Sequence, residues 1–428
     1  MTHRWLLVLS CVLAAVPTDA LAEFRWRDRA LSIEYLGAQS IETSAWQQQR
    51  LTIQPSAVAS FSRRWRATLK GRVEVANGAG DDYGLGTLAT YSPLARPWAP
   101  NDRVRMEFDE LSLEYRGRRN RVSVGKLIRP WGALDGIRVL DQLDAARNRD
   151  FLFLEQRPDR LSRYGIAALH RSNDWELEAV ALLDPTVNQL ATASSPVAPR
   201  SYRSPGAEEE LPLPIEPRDR YGTDATYGLR LRRQLGNGAV TALAQSGPML
   251  DPVLAATAEA TLRFPRRRLY GVGAEWSAGA LVFRFEANLS PDEAVSDPTV
   301  GRGFSRTRRW STGVAVDWNT PGRWFVNLQL GEARYRTLSQ APGVAPDTQT
   351  LATLMLRRNF GNDRWLLRLE TLALLSEGDG LLRPSIEYQL NDRLSIGTGI
   401  DQVYGSEEQP FGQFRQASRA WLRLRWVQ

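Results

Sequence analysis

The clearest indication of the fold is the stretch Arg64-Trp-Arg-Ala-Thr-Leu-Lys-Gly-Arg-Val-Glu-Val75, whose side chains alternate between polar and apolar. Successive side chains of a β-strand point to opposite faces, so an alternation with a period of two predicts a strand. One face of this strand is polar throughout and consists of Arg64, Arg66, Thr68, Lys70, Arg72 and Glu74. A charged face of this kind is typical of a water-filled lumen, and the apolar face suits lipid.

The same alternation recurs along the chain in segments of about 10 residues, which is the strand length of a transmembrane barrel. Tryptophans recur at strand ends, as in the aromatic girdles of such barrels. The pattern predicts an all-β protein: a single transmembrane antiparallel β-barrel of about 18 strands, with short periplasmic turns and long extracellular loops. The predicted strands are 27–37, 47–59, 64–76, 104–115, 119–128, 163–171, 174–183, 223–235, 238–247, 268–277, 280–289, 308–318, 322–335, 348–358, 364–376, 381–390, 393–404 and 414–427.

The predicted connections alternate between tight turns and long loops. The long ones are 77–103, 129–162, 184–222, 248–267, 290–307 and 336–347. Ala255–Phe264 also resembles a strand, but counting it in the wall would make the strand number odd, whereas single-chain barrels have an even number. We therefore expect it in an extended extracellular hairpin.

The composition excludes two other classes of protein. A helical membrane bundle needs several apolar runs of about 20 residues, and the one apolar run of any length is Trp5–Val16. Disorder is excluded by 14 Trp, 12 Tyr and 13 Phe in 428 residues. All but two of the 55 basic residues are arginine, and the formal charge is +7. Codon bias in a GC-rich genome is one explanation for this excess, and a role in function is the other.

The N-terminus predicts a secretory signal peptide over residues 1–22. Met1–Arg4 is basic, Trp5–Val16 is apolar, and Ala20-Leu21-Ala22 is a small-residue cleavage site before Glu23. The single cysteine, Cys11, lies in this segment. We therefore expect residues 23–428 to form the barrel, without disulfides or thiolate metal sites, in the outer membrane of a Gram-negative bacterium.

One region resembles a known group of proteins. It contains Phe108-Asp-Glu-Leu-Ser-Leu-Glu-Tyr115, then Arg121-Val-Ser-Val-Gly-Lys126 and Pro130-Trp-Gly132. Over 108–163 this resembles bacterial outer-membrane porin-like β-barrels, among them the alginate-export type and related uncharacterised porin families. The resemblance implies an outer-membrane barrel whose loops partly occlude the pore. The chain ends Trp426-Val427-Gln428 instead of on an aromatic residue, and we still expect insertion by the barrel-assembly machinery.

The loop 129–162 is rich in aspartate and arginine. One interpretation is a loop folded into the lumen, where it narrows the pore and sets its charge selectivity. The other is that these Asp/Arg pairs only anchor the loop to the wall. Both interpretations stay open at this point. The candidate constriction residues are Arg129, Asp135, Arg138, Asp141, Asp144, Arg147, Arg149 and Asp150, with Arg157, Asp159 and Arg160 in the same loop.

A second set of charged residues is predicted to face the lumen from the strands. These side chains either attract anionic solutes or are neutralised by carboxylates such as Glu110, Glu114, Asp317 and Glu370. The candidate pore-lining residues are Arg64, Arg66, Lys70, Arg72, Glu74, Arg230, Arg232, Arg284, Glu286, Arg309, Arg323, Arg368, Arg423 and Arg425.

Catalytic and metal-binding patterns are not found in the sequence. Outside the signal peptide the only histidine is His170, no Gly-x-Ser-x-Gly motif occurs, and neither Asp81-Asp82 nor Glu208–Glu210 has the spacing of a calcium loop. We therefore predict no enzyme, no cofactor and no metal site. The arginines follow the strand alternation and do not form one patch, which argues against nucleic-acid binding.

The sequence thus predicts a porin-like channel for passive passage of small polar or anionic solutes. Its expected partners are outer-membrane lipid, lipopolysaccharide, the barrel-assembly machinery and the solute itself. The alternative is a loop-plugged barrel that does not conduct and that serves an export or lipid-trafficking system.

Overall fold

A computed structural model describes residues 25–76, 86–153, 159–192, 195–199, 213–255, 260–297, 300–301, 303–336 and 348–428. The predicted signal peptide with Cys11 lies outside these residues, as do Asp81-Asp82 and Glu208–Glu210. Two short 3₁₀ helices, Asn148–Phe153 and Gly412–Ala417, occur in the described part. No helix in that part is long and apolar enough to cross a membrane.

An 18-stranded antiparallel sheet closes on itself. Each strand pairs with the next along the chain, and the last pairs with the first, from Ser32 opposite Val427 to Ser40 opposite Arg419. Closure leaves no free strand edge, which a sheet in lipid requires. The strands are β1 (Arg25–Ser40), β2 (Trp46–Ser60), β3 (Trp65–Ala76), β4 (Val104–Arg116), β5 (Asn120–Leu127), β6 (Arg163–Ser172), β7 (Trp175–Leu182), β8 (Thr226–Leu235), β9 (Gly238–Pro248), β10 (Arg266–Ala278), β11 (Leu281–Ser296), β12 (Phe304–Asn319), β13 (Trp324–Tyr335), β14 (Thr348–Phe360), β15 (Trp365–Leu374), β16 (Asp379–Gln389), β17 (Leu394–Tyr404) and β18 (Arg419–Val427).

The outward face of this wall is apolar. Val272, Val314 and Leu328 leave 52%, 47% and 54% of their surface exposed, a pattern that fits a face covered by lipid. Short turns connect the strands at one end of the barrel, and the long connections lie at the other. Tryptophans mark the short-turn ends of the strands, at Trp65, Trp175, Trp276, Trp318, Trp324, Trp365 and Trp426.

The predicted fold class and the strand count are confirmed, and one loop differs. β11 and β12 extend to Ser296 and back to Phe304, so the connection predicted over 290–307 is shorter. A register shift between Ser290 and Glu293 interrupts the alternation there, which explains why the sequence pattern ended early. The segment predicted to lie outside the wall, Ala255–Phe264, contributes to a short hairpin. In it, Val253–Ala255 pairs with Thr261–Arg263.

Two predicted wall arginines lie in turns instead of in strands, and their pore-lining assignment is wrong. Arg64 precedes β3, because the backbone bond from Phe61 N to Trp65 O closes the β2–β3 turn. Arg323 precedes β13 and has a φ of 61°, a left-handed conformation that fits a turn and not a strand.

Candidate functional site

The connection between β5 and β6, described over residues 128–153 and 159–162, folds into the lumen and packs against one side of the wall. Its aromatic and aliphatic side chains form a buried apolar cluster with inward-facing residues of the strands. A dry contact inside a barrel fixes the loop, because pulling it away would expose apolar surface to water. The cluster consists of Leu127, Trp131, Leu134, Ile137, Val139, Leu140, Leu143, Ala167, Val180, Leu182, Leu243, Leu269 and Ala315.

Glycines in the wall make room for the loop. A Cβ at Gly228 would lie 2.5 Å from the Trp131 ring, and one at Gly313 would lie 2.5 Å from Leu134 Cδ1. Separations this short do not occur between a real Cβ and another heavy atom, so each loop side chain occupies the place of a missing wall side chain. The same relation holds for Gly271 against Leu140 and for Gly331 against Ile137.

The loop backbone is also held by polar side chains of the same wall. Glu286 of β11 accepts hydrogen bonds from the backbone N–H groups of Ala133, Leu134 (3.3 Å) and Leu140 (2.9 Å). Asn288, next on the inward face of β11, donates to the Val139 carbonyl at 2.6 Å. These bonds satisfy backbone groups that a loop buried inside the barrel cannot offer to water.

The charged end of the loop reaches the opposite wall. Arg149 forms a bidentate pair with Glu74 of β3, with both N–O distances 2.6 Å. Asp150 accepts from Arg50 of β2 at 2.5 Å. Arg147 pairs with Glu107 and Asp109 of β4, and Arg72 of β3 reaches Asp159 at 3.2 Å. The loop therefore spans the lumen from wall to wall.

Burial and ion pairing act in opposite directions on the charges of this loop. Burial alone would lower the pKa of the Arg149 guanidinium, but the Glu74 carboxylate raises that pKa above its ordinary value. Burial alone would raise the pKa of Asp150, but Arg50 and Arg149 lower it. Both groups are thus held in their charged forms.

Asp144 behaves differently from the other loop carboxylates. Burial and the neighbouring Asp141 carboxylate raise the pKa of Asp144 to about 7. It accepts a 2.6 Å hydrogen bond from the backbone N–H of Arg129, and the Arg160 Nε lies 3.8 Å away. The Asp144 carboxyl therefore exchanges a proton near neutral pH.

A cavity of about 280 Å³ remains between the loop and the wall of β1–β3 and β16–β18. Eight arginines and five carboxylates line it, so its lining carries an excess of positive charge. The arginines are Arg50, Arg72, Arg147, Arg149, Arg383, Arg419, Arg423 and Arg425, and the carboxylates are Glu34, Glu74, Asp150, Asp159 and Asp401.

A narrower cavity of about 20 Å³ continues toward the short-turn end of the barrel. It shares Arg383, Asp401, Trp421 and Arg423 with the larger one, and Arg368, Glu370 and Glu387 extend its lining. Arg425 lies one inward position beyond Arg423 on β18. Arginines therefore follow the lumen wall from the loop to the short-turn end.

The other predicted wall residues face the lumen, most of them in ion pairs. Arg230 lies 2.9 Å from Glu178, and Lys70 lies 2.9 Å from Glu110. Arg66 of β3 is opposite Glu114 of β4 in the strand register. The remaining contacts are Arg232 with Glu275, Arg284 with Asp317 and Asp135, and Arg309 with Glu293.

The remaining candidate loop residues lie close together around Asp144. Arg138 donates to the backbone oxygens of Asp141 (2.9 Å) and Asp144 (2.7 Å), and Arg160 pairs with the Asp141 carboxylate. Arg129 Nε lies 3.5 Å from Glu178. Both interpretations of the loop are therefore compatible with its position, since its charges anchor it and its backbone crosses the lumen. Arg157 lies outside the described residues.

Sequence reasoning missed several residues of the cavity and its supports. Asp109 faces the lumen because a bulge in β4 places Lys70 opposite Glu110 but Gly71 opposite Phe108, which strict alternation could not show. Arg383, Asp401 and Arg419 form a network, with Asp401 2.9 Å from Arg383 and 2.8 Å from Arg419. The alternation of polar and apolar residues around these positions can be read from the sequence. The strand register that brings the three side chains together cannot.

The sequence matches no protein-family model and no curated protein. Solved structures do resemble the barrel. OccAB1 of Acinetobacter baumannii superimposes with a TM-score of 0.53 at 10% identity, over 95% of this chain and 96% of that one. OccK9 (OpdG) of Pseudomonas aeruginosa gives a TM-score of 0.52 at 9% identity, over 95% and 98%.

The barrel has the fold of the outer-membrane porins. At these identities the likeness concerns the fold alone, and it extends over nearly the whole length of both chains. A closed porin fold with an apolar outer face is the form of a Gram-negative outer-membrane barrel. The likeness is to the porin fold, and the resemblance to the alginate-export type stays a prediction.

Proposed function

We propose that the chain is a passive outer-membrane channel for small solutes and that it prefers anions. The observation that carries this proposal is the cavity beside the loop, where eight arginines face five carboxylates. A cleft with an excess of one charge and low-dielectric walls concentrates ions of the opposite charge.

The carboxylates in this cavity hold the arginines in place and do not cancel all of them. Asp401 lies between Arg383 and Arg419, and Glu74 is engaged by Arg149. Arg425 is exposed and forms no ion pair with a described residue. An anion leaving the loop region would therefore meet guanidinium groups along β18 as far as the short-turn end.

The outer surface and the biogenesis of the barrel belong to the same proposal. The apolar belt would contact membrane lipid and lipopolysaccharide, and the barrel-assembly machinery would insert the chain. We also propose that the protein is not an enzyme. His170 is exposed near a turn, where its Nδ1 lies 2.6 Å from Asn120 Oδ1, and this position is remote from the cavity lining.

Planar-bilayer recording tests the channel. In a salt gradient, we expect steady conductance with a reversal potential displaced toward the anion equilibrium potential. Replacing Arg423 and Arg425 by glutamine should shift the reversal potential toward zero, because it removes two positive charges from the lumen wall. The matched control is Arg268→Gln with Arg334→Gln, two exposed arginines at the long-loop end that do not line the cavity.

Two results would contradict the proposal. Unchanged selectivity in the Arg423/Arg425 variant would remove the β18 arginines from the mechanism. Silence at all voltages would favour the alternative, a loop-plugged barrel that serves an export or lipid-trafficking system.

A further inference from the structure

Three arginines on the outer face of the barrel lie over tryptophan rings at the short-turn end. The Arg29 guanidinium carbon is 5.0 Å from the Trp26 ring centroid on β1. Arg233 of β8 is 4.8 Å from the Trp175 ring of β7. In the third pair, Arg358 of β14 is 5.4 Å from the Trp324 ring of β13. All three arginines are exposed.

The strand register shows that these pairs point away from the lumen. Arg233 lies two residues from Leu231, and Trp324 lies four residues from Leu328, both of which are exposed apolar residues of the outer face. Arg29 has the parity of Leu31, opposite to that of Ser32 and Glu34 in the cavity lining. The three arginine–tryptophan pairs therefore lie at the edge of the apolar outer face, on its short-turn side.

No carboxylate of the described residues pairs with Arg29, Arg233 or Arg358. Outward arginines at the long-loop end are different, since Arg334 Nε lies 2.5 Å from Glu332 and Arg268 Nε lies 3.0 Å from Asp292. One further stack, Arg308 over Trp310 at 5.7 Å, also lies toward the long-loop end. The guanidinium groups of Arg29, Arg233 and Arg358 are therefore available to an anion from outside the described residues.

We propose that the three arginine–tryptophan pairs bind the phosphate groups of glycerophospholipids in the periplasmic leaflet. Tryptophan prefers the membrane interface, where lipid phosphates lie. Stacking on an indole orients the planar guanidinium and leaves its N–H edge open for bidentate bonds to phosphate oxygens. The assignment to the periplasmic leaflet rests on the proposed outer-membrane location.

Phosphatidylglycerol is the probe for the three arginine–tryptophan pairs. The full-length mature barrel in detergent is titrated with the lipid, and bound lipid is counted by native mass spectrometry. We expect the variant Arg29→Gln, Arg233→Gln and Arg358→Gln to bind the lipid at least tenfold more weakly than the unmodified barrel. The control is Arg118→Gln, Arg119→Gln and Arg393→Gln, which removes the same charge from exposed turn residues at the same end.

The control variant should bind as the unmodified barrel does. Equal binding by all three proteins, or an equal loss in both variants, would overturn the proposal, because general charge would then explain the affinity. Glycerol phosphate is titrated in parallel: competition at millimolar concentration supports a headgroup site, and no competition even at saturation overturns it. Conductance measured on the same samples separates this site from the channel, because the three arginines lie outside the lumen.

Discussion

At the scale of single residues, the barrel interior depends on a few buried charges that have partners on facing elements. Glu74 is fully buried and is bonded to Arg149 through both of its oxygens. Removing one partner of such a pair leaves a buried charge without compensation, which typically costs about 3–5 kcal/mol. Ion pairs in this lumen therefore hold the loop only as long as both members are present.

Asp144 is the residue for which we predict a pH effect. Its pKa is raised to about 7, from 3.8 for an ordinary aspartate, by burial and by Asp141. Between these values the folded state binds a proton at Asp144 that the unfolded state does not. The stability contributed by Asp144 is therefore complete below about pH 4 and is lost as pH rises through 7. The Arg163 guanidinium, the Arg129 backbone N–H and the Arg160 guanidinium each lower this pKa and so oppose the loss.

Asp144→Asn should remove that dependence, because the amide cannot ionise and its oxygen can still accept from Arg129 N–H. This pH dependence is measured by hydrogen exchange of the loop amides. The exchange is compared at pH 5 and pH 8 after correction for the intrinsic rate. We expect protection to fall with pH in the unmodified protein and to stay level in the variant. A parallel fall in both proteins would show that Asp144 is not the titrating group.

At the scale of secondary-structure elements, the loop packs closely against the strands because the wall positions that face it are glycines, which have no side chain. The wall glycines that contact the loop are inward-facing positions where any larger residue would meet a loop side chain. Glycine is unfavourable inside a strand. Its presence in a strand fits the close approach of another element, which here is the loop.

Gly313→Val should displace the loop, since its Cβ would lie 2.5 Å from Leu134 and 3.0 Å from Val139. We expect a larger single-channel conductance with more current noise. Gly397→Val is the matched control, because the nearest atoms to a Cβ there are 3.6 Å or more away and belong to the neighbouring strand. If both variants conduct alike, the glycine contacts do not position the loop.

At the scale of the whole molecule, the loop divides the lumen. It packs on the β5–β13 side through apolar contacts and reaches β2–β4 through ion pairs. The space left beside it is a cavity of about 280 Å³ that narrows toward the short-turn end. We therefore predict that the loop, and not the strand number, sets the width of the passage.

Polymer exclusion measures that width. In bilayers, polyethylene glycols that enter the lumen lower the conductance, and the size limit should be small for the unmodified barrel. Combining Glu74→Gln with Glu286→Ala removes an anchor at each end of the loop and should admit larger polymers. Glu332→Gln, which alters an exposed pair on the outer face, is the control. An unchanged limit in the double variant would mean that the loop does not set the width.

The sequence was sufficient to predict which strand residues face the lumen, because alternation is a local signal. Arg66, Arg72, Arg230 and Arg284 face the lumen as their parity predicts, and Arg64 does not because the turn extends to it. The bulges are the exceptions, since an extra residue changes the parity without any mark in the composition. Asp109 was missed for that reason.

The alternation in the sequence predicted the strands, their number and the charged inner face, because alternation is read from neighbours one or two positions apart. Closure was expected because an open sheet edge is not tolerated in lipid. The position of the loop and the pairing of its charges became visible in the three-dimensional structure alone. Leu134 contacts Gly313, and Arg149 meets Glu74, across separations in sequence that no local pattern can encode. The physical reason is that these contacts arise when closure of the sheet brings distant strands around a common space, and the chain then fills it.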